Sequence, residues 1–265
     1  MIDIHSHTKY SADSEQCPRK LVKEAIDKGC RILGFSEHLD YDYVVNNVDV
    51  VMTDVAAYYN NALLLKKEFK NKIILLCGIE FGYDKNAEEY YKAVSKQYDF
   101  DYIINSVHLV EGKDCYFADF FIDKTKEYAY TKYLEAVLSS VYAEFDYQVI
   151  GHLGYVVRNA TYKDKYLYYK EYSVIIDQIL QAIIEKQKVL EINTNINYDK
   201  TDTLPDTEIL KRYYQLGGRL VTFSSDCHSA ERVCSKYRQT INTLKEIGFD
   251  KLAYFINKKI MFYDI

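Results

Sequence analysis

Short apolar runs alternate with longer amphipathic segments along most of the chain. The runs are rich in Ile, Val, Leu and Phe, which is typical of strands that are buried on both faces of a sheet. The predicted strands are 2–5, 31–36, 73–79, 102–107, 147–151, 188–193 and 219–224. Helical spacing of apolar residues fills most of the intervals between them.

Proline and glycine mark the boundaries of some predicted helices. Pro18 suits the first turn of a helix that ends near Lys28, where Gly29 provides a stop. Pro205 precedes a later helix in the same way. The predicted helices after the first are 54–70, 124–145, 168–187, 206–216 and 230–246.

The repeated strand–helix order favours a parallel α/β fold, a (β/α)7 barrel of the TIM-barrel type. The 265 residues are close to the roughly 250 that are typical of one such barrel. No linker or composition shift divides them, so we predict a single domain over 1–265. A doubly wound open sheet is the alternative, with its site at a switch in the strand order.

Composition narrows the function classes. The net charge of -5, without a long basic run, argues against a nucleic-acid-binding surface. No apolar run is long enough to span a membrane, and the chain starts directly with a predicted strand, which leaves no room for a signal peptide. The six cysteines form no C-x-x-C pair. Together these features predict a cytoplasmic protein.

All the histidines lie at the C-terminal end of a predicted strand. In a parallel barrel these ends converge on one face, where chemistry takes place. Imidazoles brought together there, with carboxylates beside them, indicate a metal-dependent hydrolytic centre. The histidines are His5, His7, His38, His108, His152 and His228.

Two pairs of candidate ligands are spaced by two residues. His5 and His7 end the first strand, and Asp226 and His228 follow the last. Residues at this spacing on an extended chain point the same way, so both members of a pair can reach one metal. Cys227 alternates to the other side, where we expect it to pack in the core.

The other polar candidates each have a simpler interpretation. Glu80 follows the third strand and could be a helix-start charge, and Asp13 could be a turn or capping residue. Arg158 could form a bidentate pair with phosphate oxygens, or it could be a solvated surface arginine. Glu191 and Asn193 could orient ligands or simply fill the barrel top.

The number of donors indicates more than one metal ion. Zinc usually takes about four ligands, so this set suits two or three divalent ions that share bridging groups. Imidazole and carboxylate without thiolate fit Zn, Mn or Fe better than Ca or Mg. The positive charge of three such ions would exceed the negative charge of Asp13, Glu80, Asp226 and a bridging hydroxide. An electropositive mouth suits a small anionic substrate such as a phosphate ester.

These residues together resemble the PHP family (polymerase and histidinol phosphatase). The resemblance implies a distorted (β/α)7 barrel with a trinuclear metal centre. The matching segments are His5-Ser6-His7, Tyr10-Ser11-Ala12-Asp13-Ser14, Ser36-Glu37-His38, Gly78-Ile79-Glu80, Ser106-Val107-His108, Gly151-His152-Leu153 and Ser225-Asp226-Cys227-His228. The implied metal ligands are His5, His7, Asp13, His38, Glu80, His108, His152, Asp226 and His228.

The segment 106–114 and the absence of polymerase domains resemble the histidinol-phosphatase branch most closely. This resemblance implies hydrolysis of L-histidinol phosphate in histidine biosynthesis, with a metal-bridging hydroxide attacking phosphorus. Arg158 matches an arginine that this branch uses on the phosphate. After Asn193-Thr194 the branch usually carries a second basic residue, but Asn195 follows here, so Lys200 is the candidate substitute.

The sequence also offers candidates for substrate binding and for proton transfer. Asp114 could bind the substrate's ammonium, and Asp226 or His228 could transfer a proton to the leaving alcohol. Alternatives within the fold are a phosphatase for phosphotyrosine or nucleotides and a phosphodiesterase or exonuclease. More distant alternatives are an amidohydrolase and a non-catalytic metal-binding barrel. The sequence makes no prediction of oligomeric state.

Overall fold

Strands and helices alternate along the chain in the order that the sequence predicts. The computed structural model describes residues 1–45 and 48–265. Its strands are β1 (Ile2–Asp3), β2 (Ile32–Phe35), β3 (His38–Leu39), β4 (Val44–Val45), β5 (Val48–Asp49), β6 (Ile74–Gly82), β7 (Tyr102–Ser106), β8 (Leu109–Val110), β9 (Lys113–Asp114), β10 (Val149–Ile150), β11 (Val189–Asn193), β12 (Val221–Ser224), β13 (Lys251–Ile256) and β14 (Lys259–Asp264). Its helices are α1 (Pro18–Asp27), α2 (Val55–Phe69), α3 (Glu88–Gln97), α4 (Lys126–Val141), α5 (Ser173–Glu185), α6 (Thr207–Gln215) and α7 (Tyr237–Ile247).

Parallel strands form the barrel wall in the order β1, β2, β6, β7, β10, β11 and β12. The two ends of this order meet, since the amide of Ile4 donates to the carbonyl of Phe223 at 3.3 Å. The amide of His7 likewise donates to the carbonyl of Cys227 at 2.9 Å. This contact nearly closes the sheet, which confirms the distorted (β/α)7 barrel and rules out the open-sheet alternative.

The barrel interior is filled by side chains. Every residue of β2, β7, β11 and β12 is buried, as expected of parallel strands that are covered on both faces. The ring of Tyr102 lies inside, and its hydroxyl donates to the carbonyl of Phe35 at 3.1 Å. A Cβ on Gly78 would lie 2.3 Å from Cζ of Tyr102, so this position has room only for glycine.

Capping residues fix where several helices begin. Pro18 is the first residue of α1, as predicted, and the chain leaves that helix through Gly29 at φ +80°. Side chains of Asp54, Thr125 and Asp206 accept hydrogen bonds from the first turns of α2, α4 and α6. No helix in the described parts of the chain combines the length and apolarity that crossing a bilayer needs.

Strand β6 is longer than the predicted strand at 73–79. Past the end of β2, strand β6 pairs with β3 instead. His38 then pairs with Glu80, and Leu39 pairs with Phe81. This second partner extends the ladder to Gly82. Glu80 therefore lies inside a strand and does not start a helix.

Other differences from the prediction follow from weak local patterns. Helix α3 was not predicted, since it buries only Tyr91, Val94 and Ser95. Helix α7 starts later than predicted, because a separate 3₁₀ turn occupies Ala230–Arg232. The antiparallel pair β13 and β14 was also not predicted, because β14 is mostly exposed and lacks a buried apolar run.

Candidate metal centre and active site

The C-terminal ends of the barrel strands bring the predicted ligands into one cluster. Most of these side chains are buried, although Asp13 is exposed and His38 and His228 are partly exposed. Asp13 does not cap a helix, because α1 begins after Cys17 without a side-chain cap. Donor atoms converge at several places in this cluster, where groups of three side chains have ligand atoms within 4.8 Å of one another and could hold a metal ion.

The first group comprises His5, His7 and Glu80. Nε2 of His5 lies 2.9 Å from Nε2 of His7 and 3.2 Å from Oε2 of Glu80. Nε2 of His7 is 3.6 Å from the same oxygen and 3.2 Å from Oδ1 of Asp226. Two ligands of a tetrahedral zinc ion are about 3.3 Å apart, so these spacings fit one ion between the donors.

The second group uses the other carboxylate oxygen of Glu80. Oε1 lies 3.0 Å from Nε2 of His152 and 3.4 Å from Nε2 of His108. The two imidazole nitrogens are 3.4 Å apart. These distances fit the same tetrahedral edge of about 3.3 Å. Glu80 is thus placed to bridge two metal positions.

The third group comprises Asp13, His38 and His228. Oδ2 of Asp13 lies 2.9 Å from Nε2 of His228 and 3.5 Å from Nε2 of His38. The rings of His38 and His228 each stack on His7, with centroids 4.1 and 4.3 Å away. The third group therefore adjoins the first.

Unpartnered buried atoms support metal ligation. Nδ1 of His38 and Oε2 of Glu80 lie 2.8 Å apart, yet within the described residues neither has a partner in hydrogen-bonding geometry. Buried polar atoms without partners are costly. A cation near such lone pairs would satisfy them, so the residues present fit a metal centre.

Glu191 and Asn193 orient predicted ligands through hydrogen bonds. Oε1 of Glu191 lies 2.5 Å from Nδ1 of His5, which directs the opposite nitrogen of that ring into the first group. Nδ2 of Asn193 donates to Glu191 at 3.2 Å and to Asp226 at 3.1 Å. Both residues are fully buried. Of the two interpretations from sequence, the structure favours the orienting one.

Asp40 is a site residue that the sequence prediction missed. Its Oδ1 lies 2.7 Å from Nδ1 of His108, and its Oδ2 lies 3.7 Å from Nδ1 of His38. A Cβ on Gly82 would lie only 1.7 Å from Oδ1 of Asp40, so the glycine makes room for this carboxylate. The i, i+2 spacing from His38, already used for the other pairs, could have identified it.

Glu37 is a second missed residue. This fully buried carboxylate accepts hydrogen bonds from the amide of Thr8 at 2.9 Å and from Oγ of Ser11 at 2.6 Å. Oγ of Ser11 lies 3.1 Å from Nδ1 of His7 and accepts from the amide of His38 at 3.0 Å. Glu37 therefore fixes the loop between His7 and Asp13, which are two of the predicted ligands.

The carboxylates of the cluster are held in their charged form. Burial alone would raise the pKa of Glu80, but the nearby His5 and His38 lower it well below its usual value. Burial likewise opposes ionisation of Asp226, while His5 and Arg158 lower its pKa well below the usual value. The pKa of Asp13 is also lowered against burial, because His228 and His38 donate to it.

The imidazoles divide into two sets in the absence of metal. Burial disfavours the charged form of His5 and His38, but Glu80 and other carboxylates raise their pKa well above the usual value. Asp40 and Glu80 raise that of His108 to about 10, again against burial. Burial lowers the pKa of His7 and His152.

Arg158 is not a solvated surface residue. Its Nη2 donates to Oδ2 of Asp226 at 2.6 Å and to Oδ1 of Asn193 at 2.9 Å, and its side chain is only 10% exposed. Its guanidinium also lies over the ring of Tyr155, 4.9 Å from the centroid. Among the described residues the hydrogen bonds of Arg158 run through Nη2, so Nη1 and Nε have N–H groups that can donate to an anion.

A cavity of about 640 Å³ opens over the metal-binding cluster. Arg158 and Asp114 both line it, as does the missed Asp40. Lys200 does not, because it lies outside this cavity and its Nζ donates to Asp164 at 2.9 Å and to the hydroxyl of Tyr168 at 2.8 Å. Lys200 is therefore not positioned in this structure to replace a second phosphate-binding residue.

Comparisons with known proteins agree with this geometry. A model of the PHP domain family matches residues 3–195. The histidinol-phosphatase of Lactococcus lactis subsp. lactis (strain IL1403) is 34% identical over 260 residues, covering 98% of this chain and 96% of that protein. A Clostridium acetobutylicum protein named "Probable histidinol-phosphatase" is 31% identical over 266 residues and covers 99% of both chains.

The structural comparison extends over the same length. The crystal structure of histidinol phosphate phosphatase from Lactococcus lactis subsp. lactis Il1403, complexed with Zn, L-histidinol and phosphate, superposes with a TM-score of 0.91. It is 35% identical and covers 98% of each chain. This similarity spans both the region that the family model matches and the later segment with Asp226 and His228. The chain therefore belongs to the PHP domain family.

Proposed function

We propose that this chain is a metal-dependent phosphatase that hydrolyses L-histidinol phosphate to L-histidinol and phosphate in histidine biosynthesis. The observation that carries this proposal is the full-length similarity to a histidinol-phosphatase, combined with the cluster of nitrogen and oxygen donors at the barrel mouth. A non-catalytic metal store would not need an open cavity of about 640 Å³ beside that cluster.

Three divalent ions, zinc first among them, fit the three donor groups. The first would be held by His5, His7, Glu80 and Asp226, the second by Glu80, His108 and His152, and the third by Asp13, His38 and His228. All donors are nitrogen or oxygen, which also suits Mn and Fe. When bound, such ions supply Lewis acidity and lower the pKa of water to near neutrality.

Arg158 and Asp226 are the residues that we place at the reacting phosphate. Arg158 is anchored by Asp226 and Asn193 through Nη2, so its remaining N–H groups can donate to phosphate oxygens in a fixed orientation. Charge that develops on these oxygens would be stabilised by donors already in place.

Proton transfer to the leaving alcohol favours Asp226 over His228. Nδ1 of His228 lies 3.1 Å from the backbone carbonyl of Asp226 and can donate to it, while Nε2 lies 2.9 Å from Oδ2 of Asp13, where a metal ion would sit between the two. That orientation suits a metal ligand. The carboxylate of Asp226 is ionised and lines the cavity, so it can take a proton from water and pass it to the alkoxide oxygen.

Carboxylates that line the cavity suit the cationic end of the substrate. Asp114 accepts hydrogen bonds from the hydroxyl of Tyr43 and from the amide of Tyr116 at 2.7 Å. Burial raises the pKa of this carboxyl group, and an ammonium beside it would favour ionisation. Asp40 and Phe117 also line the cavity, so a second carboxylate and an aromatic side chain are available to the substrate's imidazole.

The whole chain would act as one domain, since ligands come from strands at both ends of the sequence. Residues after β12 meet those after β1 in the same cluster. All the cysteines carry free thiols, and five of the six are buried, which supports a place in the reducing cytoplasm.

A substrate panel tests this proposal. The protein is purified without chelator and loaded with zinc, and kcat/KM is measured for L-histidinol phosphate, a phosphotyrosine peptide, a nucleoside monophosphate and a phosphodiester. We expect L-histidinol phosphate to be preferred by a factor of about ten or more, because a site built for charged groups rejects substrates that lack them. Equal or better turnover of another ester would assign a different substrate, and preference for the diester would overturn monoesterase activity.

A further inference from the structure

The positive charge of Arg158 in the cavity is largely compensated by a neighbouring carboxylate. Nη2 of Arg158 is paired with the buried carboxylate of Asp226 at 2.6 Å. A phosphate monoester carries nearly two negative charges at neutral pH, since its second pKa is about 6. Bound metals can neutralise the oxygens that face them, but the outward oxygens need donors from the protein.

A second basic residue is missing from the place where the family resemblance predicts it. Asn195 follows Asn193-Thr194 and lines the cavity, where its amide can donate a hydrogen bond but carries no charge. Lys200 is engaged elsewhere by Asp164. Apart from histidines, the cationic side chains that line the cavity within the described chain are Arg158 and Arg232.

Arg232 has no competing partner. Its guanidinium makes no hydrogen bond or ion pair with any residue that the structure describes, and its side chain is exposed at the cavity rim. The adjacent carboxylate of Glu231 is engaged by Lys20 at 2.7 Å. The N–H donors of Arg232 are therefore available for an anion.

The backbone around Arg232 is anchored on both sides. The amide of Ala230 donates to Oε1 of Gln16 at 2.8 Å, and the amide of Cys234 donates to Oδ2 of Asp3 at 2.8 Å. The 3₁₀ turn Ala230–Arg232 lies between these contacts and directly follows His228. An arginine on such a segment loses less freedom on binding than one on a loose loop.

We propose that Arg232 is a second phosphate-binding residue, supplied by the loop after β12 in place of the basic residue expected after β11. Its planar guanidinium would donate to the outward oxygens while Arg158 contacts the phosphate from the loop after β10. The two arginines then contact the phosphate from the loops after β10 and β12, which lie on either side of β11 in the barrel.

Phosphate binding tests this inference, which rests on the proposed function, without requiring turnover. The Kd of inorganic phosphate is measured by calorimetry on the zinc-loaded protein, on Arg232→Gln and on Arg238→Gln. Arg238 is the matched control, because it is an exposed arginine of α7 that does not line the cavity. We expect Arg232→Gln to raise the Kd about tenfold, as for the loss of a hydrogen bond between charged groups, and Arg238→Gln to leave it unchanged.

Kinetics with L-histidinol phosphate separate binding from chemistry. Arg232→Gln should raise KM by a similar factor with little change in kcat or zinc content, and Arg232→Lys should recover part of the loss. Inhibition by L-histidinol, which lacks the phosphate, should not change. A Kd for phosphate that moves no more in Arg232→Gln than in Arg238→Gln would overturn the inference. If the unmodified protein binds phosphate through Arg232 but does not hydrolyse this ester, the proposed function fails while the anion site stands.

Discussion

Oε1 of Glu80 lies 3.0 Å from Nε2 of His152, while its other carboxylate oxygen faces His5 and His7, which follow β1. This relationship depends on the extension of β6 by β3, which keeps Glu80 within a regular strand at the centre of the mouth. One carboxylate is thus shared by two groups of donors. Its loss would affect both.

Glu80→Gln should therefore lower metal content by more than one ion per chain and reduce kcat by about a thousandfold or more, as expected when metal-dependent activation is lost. The amide keeps the shape of the side chain but cannot supply two anionic oxygens. Metal analysis of the purified variant, paired with the phosphatase assay, measures both effects. Glu89→Gln is the control, since Glu89 is exposed on α3. Full metal content in Glu80→Gln would contradict the bridging role.

Arg158→Gln should raise KM for the phosphate ester about tenfold or more, because a charged donor to the phosphate is lost. Zinc content should change much less, because the hydrogen bond of Arg158 to Asp226 is its contact with the predicted ligands among the described residues. Steady-state kinetics and metal analysis on the same preparation separate the two effects. Kinetics like those of the unmodified protein would remove Arg158 from the phosphate site.

Asp40→Asn should weaken zinc binding about ten- to a hundredfold, because Asp40 orients His108 and raises the basicity of its ring. Gly82→Ala provides an independent route to the same effect, since the added methyl group would displace Asp40. Zinc titration against a competing chelator measures the affinity of each variant. If both variants bound zinc like the unmodified protein, Asp40 would have no role in the metal centre.

Zinc binding should release protons and strengthen as pH rises. The pKa values of His5 and His38 are raised well above their usual value, and that of His108 is about 10, so these rings hold protons at neutral pH in the metal-free protein. A protonated imidazole cannot bind a metal, so each proton must leave first. Titration calorimetry in buffers of different ionisation enthalpy, at about pH 6 and about pH 8, counts the protons. Equal affinity at both pH values would contradict the charge distribution described for the site.

Much of the fold and the ligand cluster could be predicted from the sequence, because both follow local rules. Apolar runs marked the barrel strands, and parallel strands place their C-terminal ends on one face. Asp13 needed the family resemblance, since a lone aspartate in a loop is ambiguous. The structure now places it 2.9 Å from His228, which lies at the other end of the chain.

The parts that could not be predicted depend on contacts between distant segments. Glu37 acts through Ser11, and Asp40 acts through His108 across a gap that Gly82 leaves open. Lys200 was a reasonable candidate by position, but Asp164 competes for its charge. A pattern of polar and apolar residues in the sequence does not show which carboxylate a lysine will pair with.

Anomalous diffraction at the zinc edge, from crystals of the protein purified without chelator, tests the central claim most directly. The account predicts a zinc ion at each of the three donor groups, with the carboxylate of Glu80 shared by two of them. Zinc bound only outside this cluster, or a cluster without zinc in protein that still hydrolyses the phosphate ester, would contradict it.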